Sequence, residues 1–103
     1  MIIHYPTFFL KDGKYYVVFV PDLDVNTQGR SIEDAVEMAK DVIGITVVEL
    51  ERKGKNVPAP SDYNGAYEKA KADTEIVDYS KGFLKNVELD LEKFTKEYDA
   101  INK

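Results

Sequence analysis

The six residues Tyr15–Val20, YYVVFV, constrain this chain more than any others. They are β-branched or aromatic throughout, the composition of a strand. Alternation sends Tyr15, Val17 and Phe19 to one face and Tyr16, Val18 and Val20 to the other. Both faces are apolar, so both need cover, one from a helix and the second from another helix or another subunit. Asp12-Gly13 is a hairpin signal that folds this strand back on IIHYPTFFLK. Pro21, lacking an N–H, ends it.

The cover for one face is legible downstream. The turn PDLDVNTQGR leads through a short edge strand, Val25–Gln28, to Ser31, an N-cap with Asp34 three residues on. Apolar residues then recur at Ile32, Ala35, Val36, Ala39, Val42, Ile43, Val47 and Leu50, with Thr46 in the same row. That is one helical stripe over about five turns. Gly54 closes the helix, with Arg52, Lys53 and Lys55 near its negative end. A thinner second stripe, Met38, Ile45 and Val48, marks a candidate surface for self-association or a partner.

Beyond Pro58 and Pro60 the pattern loosens. Residues 58–82 read as a linker holding a short helix with Tyr63, Ala66, Tyr67 and Ala70 on one side. Phe83–Leu89 alternates as a fourth strand, and Asp90 caps a last helix with Leu91, Phe94, Tyr98 and Ile101 on its apolar side. The order is β-β-β-α-β-α in a single 103-residue domain, with residues 1–57 as its compact first part and 83–103 as strand plus helix. Phe9, Val17, Phe19, Val36, Ala39, Ile43, Val47 and Leu89 are expected in one core. Pro6 lies within a first strand that this order places between two neighbours. Pairing on one side must therefore start after Pro6, or the strand bulges there.

Composition removes several classes of function. Zero Cys excludes disulfides, thiolate zinc sites and thiol catalysis, and suits a reducing compartment. Neither a signal peptide nor a membrane-length apolar run is visible, so the expected location is the cytoplasm. The net charge is −5, and residues 1–60 and 61–103 are each mildly acidic. This argues against direct nucleic-acid binding and leaves ordinary solubility or a basic partner. His4 is the single histidine, so no metal site or Ser–His–Asp arrangement is expected, and the glycines are too scattered for a phosphate loop. The strand order is also the opening of the RNase H-like fold, whose nucleases need a carboxylate in mid-first strand and another near the end of the fourth. Asp90 stands at the second position, but the first strand offers only Pro6, Thr7, Phe8 and Phe9.

Taken together, IIHYPTFF, YYVVFVPDLD, VNTQGRSIEDAVEMAKDVIGI, the exit ERKGKNVPAPSD and the tract VELDLEKFTKEYDA resemble the HicB family of type II antitoxins. The resemblance implies an α+β, partial RNase H-like fold with a mixed four-stranded sheet in order 3-2-1-4, the fourth strand parallel to the first. It also implies a non-enzymatic antitoxin, without cofactor, that occludes a HicA-like RNA-cleaving toxin. The chain departs from the PDLPGC turn of many members, and it stops at Lys103, about where many continue into a DNA-binding domain. No DNA-binding domain is therefore expected within these residues. The expected toxin-facing rim is Asp22, Asp24, Asn26 and Gln28, and Met38, Ile45 and Val48 are the expected surface of a dimer or tetramer. A metal-dependent nuclease, and a self-associating scaffold or ligand-binding domain without a toxin, are the alternatives.

Overall fold

The computed structural model describes residues 1–72 and 82–102; the part of the expected linker at 73–81 lies outside them. The elements are β1 (Ile2–Asp12), β2 (Tyr15–Val20), β3 (Val25–Gly29), α1 (Ile32–Arg52), α2 (Tyr63–Ala72), β4 (Phe83–Asp90) and α3 (Leu91–Ile101). The sheet order is β3-β2-β1-β4, as expected. Gly13, at φ +60°, opens the two-residue hairpin turn and sets Asp12 opposite Tyr15. β2 meets β1 only from Phe8 onward, so the ladder on that side starts beyond Pro6. On the other side Pro6 faces Asn86, whose amide turns away from β1 and donates to the Tyr63 hydroxyl at 3.2 Å. The missing proline N–H therefore interrupts neither ladder.

One expectation about the sheet is corrected. β4 runs antiparallel to β1, with Ile2 opposite Asp90 and Phe9 opposite Phe83, so the sheet is wholly antiparallel and not mixed. The reason lies in the path between α1 and β4. Ser61 is tied to Asp22 at the β2–β3 end of the sheet, whereas Gly82 lies against Phe9 and Leu10, near the hairpin end. The chain has crossed the length of the sheet once more after α1, so β4 must come back down beside β1.

The core lies between the sheet and α1. Tyr5 and Phe9 from β1, Val18 and Val20 from β2, and Val87 and Leu89 from β4 pack on Ala35, Ala39, Ile43, Val47 and Val48. Here the expected face of β2 is also corrected. Phe9 pairs with Val18, so the even residues of β2 share its face, and Phe19 points to the opposite side. There Phe8 and Phe19 are covered by α2, through Ala70 and Tyr67, with the Phe8 and Tyr67 rings 5.9 Å apart. Val17, also assigned to the first core, is half-buried on this second side. The cover that both faces of β2 require thus comes from two helices, one per face.

The helix ends follow their local chemistry. The Ser31 hydroxyl accepts the Asp34 amide at 3.0 Å, and the Asp34 carboxylate reaches back to the Arg30 amide at 2.9 Å. At the other end Gly54, at φ +67°, allows its own amide to bond the Glu51 carbonyl and the Lys55 amide to bond that of Leu50. This pairing closes a helix through a left-handed residue. α3 packs on α1 where Gly44 leaves room for the Phe94 ring.

Candidate partner-binding surface

The β2–β3 turn carries the expected rim, and its four residues do not behave alike. Asp24, at φ +52°, together with Asn26 and Gln28, is exposed. Asp22 is not, and its place on an outward rim is corrected. Its Oδ1 accepts the Ser61 hydroxyl at 2.5 Å and the Lys69 ammonium at 2.6 Å, and its Oδ2 accepts the Ser61 amide at 2.8 Å. The Asp22 side chain is fully shielded while that of Lys69 is half exposed. Burial by itself would raise this carboxyl, but the bonds from Lys69 and Ser61 outweigh it and hold it below the ordinary carboxylate range. The carboxylate thus ties the Pro-rich exit and α2 to the sheet. Beside it the Tyr5 hydroxyl donates to the Pro58 carbonyl at 2.5 Å.

The expected apolar surface on α1 is likewise divided. Met38 and Ile45 are 36% and 42% exposed, whereas Val48 is 2% exposed and belongs to the core. The correction has a simple cause: α3 packs against this end of α1, with Tyr98 donating to Glu49 at 2.9 Å and Arg52 donating to both oxygens of Asp99. Val48 lies within the turn those contacts cover.

A second polar feature was not anticipated from the sequence. Between α1, β4 and α3 runs an open groove of about 440 Å³ that includes Glu37, Asp41, Glu88, Asp90 and Glu97, with Lys40 and Lys93 among them. Partial burial and the neighbouring Glu37 raise the Asp41 carboxyl. Its acids come from three elements, so no local run announced it. Asp90 is already engaged as the α3 cap, accepting the Glu92 and Lys93 amides at 3.1 and 3.3 Å. The Lys93 amide and the other groups around it leave its carboxyl lowered. In the middle of β1, Thr7 is buried and its hydroxyl turns back to the Tyr5 carbonyl at 3.0 Å. Among the described residues no three His, Cys, Asp or Glu side chains are grouped to hold a metal ion. No described helix is long and apolar enough to cross a membrane.

A four-stranded antiparallel sheet packed on a long helix, with no carboxylate in the middle of its first strand, defines the class: an α+β domain with one long helix on the main core face. Among solved structures, a toxin–antitoxin complex from Streptococcus pneumoniae contains a chain 31% identical, with a TM-score of 0.75 over 91% of this chain and 73% of that one. The Burkholderia pseudomallei antitoxin HicB is 28% identical, with a TM-score of 0.64 over 89% of this chain and 65% of its own. No family model and no curated protein matches the sequence. The chain belongs to the HicB-like antitoxin family.

Proposed function

We propose that this domain is a non-enzymatic antitoxin that binds a HicA-like ribonuclease toxin and neutralises it by occluding the surface that engages RNA. The observation that carries this reading is the likeness, over 91% of the chain, to a component of a toxin–antitoxin complex. The charge pattern supports it. A protein that cleaves RNA must offer cations to phosphates. A domain of net charge −5 with a carboxylate-lined groove can cover such cations. Partial burial first, and then the neighbouring Glu37, raise the Asp41 carboxyl, and a lysine or arginine of the toxin beside it would favour its charged form. The outward residues of the β2–β3 turn, Asp24, Asn26 and Gln28, are a second polar surface within reach of a partner.

The test is rescue of growth. Cells expressing a HicA-like toxin encoded in the same genome should survive when this chain is co-expressed. The variant Glu37→Lys/Asp41→Lys should rescue poorly while keeping the wild-type circular dichroism. Equal rescue by both would remove the groove from the interface, and no rescue by the wild type would sink the antitoxin reading. The non-enzymatic half has its own assay. With Mg²⁺ or Mn²⁺ present the purified chain should leave RNA and DNA intact, because Asp90 serves a helix end and β1 carries its one carboxylate, Asp12, at the end away from it. Divalent-dependent cleavage abolished by Asp90→Ala would favour a nuclease instead.

A further inference from the structure

The two helices that cover the sheet hold on to it by different means. α1 sets Ala35, Ala39, Ile43, Val47 and Val48 into the face formed by β1, β2 and β4. To the other face α2 brings Ala66 and Ala70, both fully buried, and the half-buried ring of Tyr67. Stabilisation by burial scales with apolar area, and an alanine methyl has little of it. Ten residues are also too few for a helix to persist alone in water, and Gly65 in its first turn weakens it further.

What fixes α2 in place is polar. Lys69 and Ser61 reach the Asp22 carboxylate, and the Tyr63 hydroxyl accepts the Asn86 amide. A shielded ion pair adds little net stability, because its attraction is set against the hydration that both charges give up. Lys69 is already half in water. Lifting α2 hydrates Asp22 and Lys69 in one event, whereas lifting α1 would open the main core.

We infer that Ser61 and α2 form a strap that leaves the sheet as one unit, latched by Asp22, while the sheet, α1 and α3 stay in place. The strap turns about the extended Pro58–Pro60 link, whose Pro58 carbonyl is held by the Tyr5 hydroxyl. In the open form Tyr67 and Ala70 no longer cover Phe8 and Phe19, so part of the second sheet face is bared in a molecule that is otherwise folded. Regions with few buried apolar contacts open at a lower free energy than the core, in cooperative units. Here the unit is defined by one carboxylate that holds both the entry to α2, through Ser61, and its last turn, through Lys69. The opening does not depend on the antitoxin reading and is measured on the chain alone.

The experiment is amide hydrogen exchange, read residue by residue by NMR on the purified chain over a series of low urea concentrations. The amides of Ser61 and of Tyr67–Ala70 should share one opening, at least ~10-fold more frequent than the one that exposes Ala39–Val47. It should also respond weakly to urea, because it uncovers little surface, while the α1 amides respond steeply. Two variants separate the strap from unfolding of the whole. Lys69→Met removes the latch and should speed exchange at Ser61 and in α2 together, by at least ~10-fold. Gly29→Ala crowds the contact between β3 and α1, so it should speed exchange in α1 and leave Ser61 and α2 unchanged. Circular dichroism checks the fold of each, and Ser31→Ala, a milder change at the start of α1, replaces Gly29→Ala if that variant does not fold. Exchange in α2 that follows urea as steeply as α1, or that the α1 variant speeds as much as it speeds α1 itself, would overturn the proposal. So would Ser61 and α2 amides that answer Lys69→Met by different factors, since they would not then move as one unit.

Discussion

A shielded carboxylate holding three donors is a point where one substitution reaches far. Asp22 joins the β2–β3 turn to Ser61 and Lys69, so removing its charge releases the last turn of α2 as well as the exit from α1. Asp22→Asn is expected to cost about 1–3 kcal/mol in urea unfolding, since it leaves a buried donor poorly matched. The pH dependence has a definite sign. The folded carboxyl is lowered, so its contribution is complete above the ordinary carboxylate range and is lost as pH falls through the lowered folded value. The wild type should therefore lose stability over that acid limb, and Asp22→Asn should show a shallower loss. That Asp22 turns inward was not legible, because an aspartate in a turn reads as a local cap or a surface charge unless its distant partners are known. Ser61 and Lys69 lie 39 and 47 residues away.

Among the elements, α1 and the hairpin were the most legible, since their signals are local. Ser31, Asp34 and Gly54 act at the positions that the sequence assigns them. Even the correct face of β2 was within reach. A two-residue turn that pairs Asp12 with Tyr15 puts Val18, not Phe19, beside Phe9, and the turn signal Asp12-Gly13 was there to be used. Packing of α1 on β3 was not legible, because it rests on what is absent from Gly29. A Cβ there would collide with the backbone of Ala35, which cannot swing aside as a side chain can. Gly29→Ala should cost about 1–3 kcal/mol, read as a lower thermal midpoint. At the other end of the connection, Ser31→Ala should cost about 1 kcal/mol through the lost cap on the Asp34 amide. The two are neighbours, so the double variant should depart from the sum.

At the scale of the whole molecule, the family and the strand order were readable and the direction of β4 was not. Alternating residues such as Val87 and Leu89 state which face of a strand is buried, but carry no information on which way it runs. The direction follows from where Ser61 and Gly82 stand, at opposite ends of the sheet, and the sequence signals between them are weak. For the assembled domain the surface charge sets a kinetic expectation. Association with a basic toxin should slow as salt rises while dissociation changes less, measured by surface plasmon resonance over a salt series. An association rate indifferent to salt would place the interface on an uncharged face.

The pairing of β1 with β4 also governs how the molecule comes into being. Ile2 ends beside Asp90, and the Leu91 amide bonds the Met1 carbonyl at 2.9 Å. β1 leaves the ribosome well before β4, so its outer side stays unfilled until Phe83–Asp90 have emerged. Until then the nascent chain can form the hairpin and α1, but it presents the bare side of β1 to its surroundings. Contacts this remote in sequence make for slow final closure. During synthesis the vulnerable stretch is thus Ile2–Phe9, of which Tyr5–Phe9 are buried once the sheet is complete.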